Sequence, residues 1–169
     1  FAFHAPTDPN WELKLLKISK TDGMTGLYNR VSAEKIIRER LSETRTAACA
    51  LIMADIDGLK YINDTFGHPE GDKVIKTVAC LLASHFRKGD VIGRAGGDEF
   101  MIFMDPCGDS KSVPRRLTEF FAKLHEASAA HGAIEFSCSL GAAIQKPGTA
   151  NFQALYKKAD TALYQAKSR

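Results

Sequence analysis

Val91-Ile92-Gly93-Arg94-Ala95-Gly96-Gly97-Asp98-Glu99-Phe100-Met101-Ile102-Phe103-Met104 decides the fold of this chain. Val91–Arg94 and Glu99–Met104 are short runs of strand-forming residues. Gly96-Gly97-Asp98 between them carries the turn chemistry of a hairpin. Upstream, residues 69–86 place Val74, Ile75, Val78, Ala79, Leu81, Leu82 and Phe86 at helical spacing, and further back residues 47–56 (AACALIMADI) form a near-continuous apolar run. A run that short between polar flanks suits a strand covered on both faces. It ends in acid, at Asp55 and Asp57. Downstream come a helix over about 112–130, a strand over 134–144 and a helix over 151–167 carrying Phe152, Leu155, Ala159 and Leu163.

From residue 47 the order is β-α-β-β-α-β. That is the ferredoxin-like core of the α+β class: an antiparallel-centred sheet with helices on one side, covered further by flanking helices. It is also the palm layout of nucleotide polymerases and nucleotidyl cyclases. Before this core, residues 32–41 form a helix with Ile36, Ile37 and Leu41 inward, and residues 21–29 (TDGMTGLYN) a turn-rich loop. Residues 9–20 are helical, with Trp11, Leu15 and Ile18 on one face and Asn10 placed to cap it. This segment is either the end of a longer signalling helix or a terminal helix packed on the domain. The division is therefore a lead-in and linker helix over 1–20 and one domain over 21–169.

The composition excludes several classes. With 169 residues, 44% apolar and 25% charged, the chain can bury one substantial core. A net charge of +3 is too mild to point to nucleic acid or an anionic membrane, and it does not oppose a polyanionic small substrate. Cys49, Cys80, Cys107 and Cys138 contain no CxxC pair and lie among apolar residues, so neither a disulfide framework nor a zinc site is expected. A reduced, cytoplasmic setting fits. No apolar run approaches spanning length and no signal peptide stands at the start. A chain that begins at Phe1 reads as a piece of a longer protein, whose other segments could anchor it to a membrane.

Two acidic clusters carry the chemistry. Asp55-Ile56-Asp57 closes the apolar strand, and Asp98-Glu99 sits at the hairpin tip. In a palm-like sheet those two ends can face one another. Converging carboxylates are costly unless a cation neutralises them. Hard oxygen ligands suit Mg²⁺ or Mn²⁺ together with phosphate oxygens. Gly96 and Gly97, without side chains, let a substrate lie against the backbone. The plain alternatives are a turn cap at Asp55 and a simple tight turn at the glycines.

Gly96-Gly97-Asp98-Glu99-Phe100 spells the signature of the GGDEF family, and the chain resembles that family in three further places. Asp22-Gly23-Met24-Thr25-Gly26-Leu27-Tyr28-Asn29-Arg30 resembles its opening D-x-L-T-G-L-Y-N-R motif. Asp55-Ile56-Asp57, Lys60, Ile62-Asn63-Asp64, Gly67-His68 and Gly71-Asp72 resemble its D-I-D-x-F-K-x-I-N-D-x-x-G-H-x-x-G-D block. Residues 159–167 (ADTALYQAK) resemble its closing segment. Leu59 and Met24 stand where the family usually has Phe and Leu. The chain also stops at Arg169, before the family's further basic residue.

The resemblance implies a diguanylate cyclase, which condenses two GTP into cyclic di-GMP and two pyrophosphates. It implies that Asp55, the Ile56 carbonyl and Asp98 hold the metals, with Asp98 also the candidate base for the ribose 3′-hydroxyl and Glu99 close enough to share metal or base duty. Lys60 would offset phosphate charge, and the backbone around Gly58 and Leu59 would cradle phosphates. Asn63 and Asp72 would read guanine, since an aspartate accepts from the ring N1–H and the 2-amino group. His68 would lie near the nucleotide, and Lys167 would reach the terminal phosphates. Arg87-Lys88-Gly89-Asp90, five residues before Gly96, matches the family's RxxD product-inhibition site, with Arg87 and Asp90 as its groups and Arg115 or Arg116 as a further arginine. Catalysis would need a homodimer, driven by an upstream sensory domain. The alternative is a catalytically inactive GGDEF domain that serves as a GTP or cyclic di-GMP receptor.

Overall fold

The computed structural model describes residues 20–43, 46–109, 111–148 and 150–168. The 9–20 helix, apart from Lys20, therefore lies outside the described residues, as does Arg169. The elements in chain order are β1 (Tyr28–Asn29), α1 (Arg30–Ser42), β2 (Cys49–Asp57), α2 (Leu59–Phe66), α3 (His68–His85), β3 (Val91–Arg94), β4 (Glu99–Met104), α4 (Ser112–Ala129), β5 (Ser137–Gln145) and α5 (Phe152–Lys167).

The sheet runs β1-β3-β4-β2-β5. β2 is antiparallel to both β4 and β5, and β3 is antiparallel to β4. Those four strands have the ferredoxin-like order expected from the sequence. β1 adds a parallel edge pair with β3, which makes the sheet mixed. Two residues are too few to show any periodicity, so the sequence displays only a loop there.

The apolar run of β2 is buried on both faces, and the alternation sorts its residues into two cores. Ala50, Ile52, Ala54 and Ile56 join Phe100 and Ile102 against Val74, Val78 and Leu82 of α3 and Phe120 and Leu124 of α4. Leu51 and Met53 join Met101 and Phe103 against Ala33, Ile37 and Leu41 of α1 and Phe152, Leu155, Ala159 and Leu163 of α5. Helices thus cover both sides of the sheet, where the βαββαβ pattern by itself places them on one. At Gly141 of β5 an added Cβ would sit 2.1 Å from the Leu163 nitrogen and 2.3 Å from the Ala159 oxygen. Only glycine lets α5 lie that close to the sheet.

Local chemistry sets the helix ends. The Asn29 side chain accepts from the Ser32 amide, starting α1 two residues earlier than the apolar pattern shows, and Asn151 caps α5 through the Gln153 and Ala154 amides. The helix expected over 69–86 is α3, and a separate two-turn helix, α2, precedes it. Gly67, at φ 90°, forms the break between them. Of the four cysteines, Cys80 is exposed and Cys49, Cys107 and Cys138 are buried. Among the described residues no helix is long and apolar enough to cross a membrane.

Candidate active site

β2 and β4 bring the two acidic clusters to one edge. Their register pairs Asp55 with Glu99, and the Ile56 amide donates to the Asp98 carbonyl at 3.1 Å, tying the hairpin tip to the end of β2. Asp55 is 5% exposed. Its carboxylate accepts from the Lys167 ammonium, with Nζ 2.6 Å from Oδ1. Burial pushes the Asp55 carboxyl up, the Asp98 and Asp57 charges push the same way, and Lys167 opposes them. For Lys167, burial works against the charge, yet the hydrogen bond and charge of Asp55, with Asp98 and Asp57 behind it, raise its pKa. The corner therefore holds an excess of negative charge that one ammonium does not cancel.

Asp57, the second acid of the pair on β2, accepts from the Ser137 and Ser139 hydroxyls of β5, each at 2.7 Å. Asp55, Asp57 and Asp98 line a cleft of about 510 Å³ with Gly58, Leu59, Lys60 and Lys167, and of the three Asp57 is already held by two hydroxyls. Beside it a cleft of about 460 Å³ is lined by Leu59, Lys60, Asn63, Asp64, His68, Arg94, Gly97 and Asp98. Leu59, Lys60 and Asp98 belong to both, so the two form one groove. Gly58, at φ 67°, turns the chain from β2 into α2 and presents the start of that helix to the groove.

Glu99, Gly96 and Asp72 do not line either cleft. The Glu99 carboxylate folds back over Gly96, with Oε2 2.7 Å from where a Cβ would stand. Asp72 lies beside Gly71 in α3, and an added Cβ at Gly71 would be 1.9 Å from Asn63 Oδ1. The Asn63 amide therefore rests across Gly71.

Among the described residues no group of three or more His, Cys, Asp and Glu side chains is arranged to hold a metal ion. Two carboxylates and a carbonyl, with the remaining positions open to phosphate oxygens or water, suit Mg²⁺ or Mn²⁺ better than a metal that needs a full protein cage. The ammonium seated on Asp55 shows that this carboxylate attracts a cation.

Two groups at the site are absent from the sequence reading. Arg94 reaches from β3 to the Gly97 carbonyl, at 2.6 and 3.2 Å, and to Asp22 Oδ1 at 3.2 Å. It braces the hairpin tip against the opening loop, where Asp22 also accepts from the Thr25 amide and hydroxyl. An arginine just before two glycines is a visible signal. A partner 72 residues away is not.

The Arg87–Asp90 turn closes on itself. The Arg87 amide donates to Asp90 Oδ2 at 3.0 Å, and the Asp90 amide donates to the Arg87 carbonyl at 2.9 Å. The guanidinium lies 3.5 Å from Asp90 Oδ1 and donates to the Pro106 carbonyl. Asp90 Oδ1 is buried and accepts no hydrogen bond among the described residues. A cavity of about 580 Å³ adjoins the turn, with Lys20, Tyr28 and Lys88 also in its wall. Arg116 donates to the His85 carbonyl at 2.9 Å, and Arg115 lies 4.0 Å from Glu119. The arginine that touches the turn is instead Arg40 of α1, which donates to the Gly89 carbonyl at 2.7 Å.

The fold is a palm-like α+β sheet with an acidic groove beside a glycine hairpin. Residues 19–169 match the family described as diguanylate cyclase, GGDEF domain, and the chain belongs to that family. It is 35% identical over 158 residues to the probable diguanylate cyclase DgcC of Escherichia coli (strain K12), which covers 91% of this chain and 42% of that protein. It is 33% identical over 171 residues to the diguanylate cyclase DgcP of Pseudomonas aeruginosa, covering 98% of this chain and 24% of that protein. The chain thus spans less than half the length of either relative. The coiled coil and GGDEF domain of DgcB from Caulobacter crescentus, solved with c-di-GMP, superposes with a TM-score of 0.84 at 27% identity, over 94% of this chain and 86% of that one.

Proposed function

We propose that this chain joins two GTP molecules into cyclic di-GMP with loss of two pyrophosphates. The observation that carries the reading is the convergence of Asp55 and Asp98, from neighbouring strands, on one groove that continues to Asn63 and His68. In this reading GTP lies along the groove. Its guanine meets Asn63 and Asp72, and its phosphates meet Lys60, Lys167 and the backbone at Gly58 and Leu59. Gly97, which lines the groove, lets the sugar and phosphates approach the hairpin, and at Gly96 the Glu99 carboxylate would have to move aside for them to do so.

Asp55, Asp98 and the Ile56 carbonyl would hold Mg²⁺ or Mn²⁺, which when bound supplies a Lewis acid at the α-phosphate. Asp98 lines both halves of the groove, which supports it over Glu99 as the group that accepts the proton of the ribose 3′-hydroxyl. The freed 3′-oxygen attacks the α-phosphorus of a second GTP, and the bond to pyrophosphate breaks. One domain holds one GTP, so two domains must meet face to face, and association supplies the orientation. The resemblance adds an upstream sensory domain in a cytoplasmic enzyme, which would set that association.

The Arg87–Asp90 turn is the proposed product site. A buried aspartate oxygen without a donor, beside a cavity of nucleotide size, supports it. The likeness to DgcB, solved with c-di-GMP, supports binding of that nucleotide by the domain as a whole.

The test is incubation of a dimerised preparation with GTP and Mg²⁺, followed by mass-spectrometric identification of the product. Cyclic di-GMP from GTP, with little turnover of ATP, is expected. Tight GTP binding without product would overturn the catalytic reading in favour of a receptor.

A further inference from the structure

Lys167 has two competing places. Here its Nζ sits 2.6 Å from Asp55 Oδ1, on the carboxylate that the reading above gives to a divalent ion. That reading also gives Lys167 to the terminal phosphates, and one ammonium cannot be in both places.

We propose that Lys167 is the resident counter-ion of Asp55 in the nucleotide-free domain, and that the triphosphate draws it away and so opens the carboxylate to the metal. The inference rests on the metal and GTP assignments of the preceding section.

Three observations support it. Asp55 is nearly sealed and crowded by Asp98 and Asp57, so its charge needs a cation at all times. Asp57 is tied to two serines of β5 and offers Lys167 no equal alternative. The Lys167 side chain is 42% exposed at the last turn of α5, at the mouth of the cleft that Lys60 also lines. Its four-carbon stem can swing while the helix stays fixed by Leu163 against β5. A divalent ion and an ammonium on one part-buried carboxylate repel one another, so each weakens the binding of the other.

Metal and nucleotide should therefore bind cooperatively, each by the same factor for the other. The experiment measures Mn²⁺ binding to the folded, nucleotide-free domain at mildly alkaline pH, by paramagnetic resonance of free Mn²⁺. Lys167→Met is expected to bind Mn²⁺ roughly tenfold more tightly than the natural protein, equivalent to about 1.4 kcal/mol. Lys167→Arg, which keeps the charge, should stay near the natural value, and Lys167→Gln repeats the neutral case should Met disturb α5. Adding α,β-methylene GTP, which cannot release pyrophosphate, should tighten Mn²⁺ binding more in the natural protein than in the neutral variants. Equal or weaker Mn²⁺ affinity in both neutral variants would overturn the exchange alone. Absence of Mn²⁺ binding in every protein, with the nucleotide analogue present, would overturn the metal reading beneath it as well.

Discussion

Asp55 shows function working against stability in a single side chain. Its carboxyl is held above the ordinary carboxylate range by burial, then by Asp98 and Asp57. A carboxyl raised in the folded state favours folding below its unfolded pKa and loses that contribution as pH rises through the folded value. At neutral pH burial therefore works against the Asp55 charge, and the ion pair with Lys167 offsets part of that cost. Asp55→Asn should raise the melting temperature of the metal-free protein by about 2–4 °C, the shift that about 1 kcal/mol produces at this size. The gain should vanish as pH falls below the carboxylate range, and cyclic di-GMP synthesis should be lost at every pH. Calorimetric scans across pH check the first part and product analysis the second. Asp98→Ala should also abolish synthesis with the fold intact, as circular dichroism would show; normal turnover would remove Asp98 from the site.

Asp22 has the opposite sign. Burial raises its pKa, but Thr25 and Arg94 outweigh that and hold it below the usual carboxylate range. Its contribution is present above the unfolded pKa and is lost as pH falls through the folded one. Asp22→Asn should thus cost about 1 kcal/mol at neutral pH and little under acid conditions, measured by urea unfolding. In the sequence, the motifs display Asp55, Asp98, Asn63 and Lys60. They do not reveal that Asp57 is bound to Ser137 and Ser139 or that Arg94 meets Asp22, because those partners are 72 to 82 residues apart along the chain.

At the scale of elements, the hairpin and the helices flanking it are plain in the pattern because each is long enough to repeat its period. β1, with two residues, and α2, with two turns, fall below that length, and only packing defines them. α5 illustrates what packing adds: its contact with β5 at Gly141 aims Lys167 at Asp55. Gly141→Ala would drive a methyl group into the backbone of Leu163 and Ala159, and no flexible side chain is there to give way. A loss of roughly 2–3 kcal/mol is expected in chemical denaturation. The Arg87–Asp90 turn is a second case. Arg87→Ala should leave the initial rate of synthesis unchanged and relieve inhibition by added cyclic di-GMP; inhibition that persists undiminished would remove the turn from that role.

Across the whole molecule, the acidic groove opens to solvent and, in the proposed reaction, holds one set of reacting groups. In the proposed reaction a second domain must bring the other. Specific activity should therefore climb with protein concentration until dimers dominate, where a self-sufficient enzyme would give a flat line. Initial-rate assays over a dilution series distinguish the two. α1 and α5 cover one face of the sheet and α3 and α4 the other, so the acidic end of the sheet is the part left open.

Of the four thiols, Cys138 is pushed up to about 12 by burial and nearby carboxylates, Cys49 and Cys107 are sealed in the interior, and Cys80 alone faces outward from α3. A maleimide dye added to the native protein should therefore couple at one position per chain, with the rest reacting only after unfolding. The molecule thus carries a built-in attachment point for a fluorophore. Energy transfer between two copies labelled there would report their approach without any engineered cysteine.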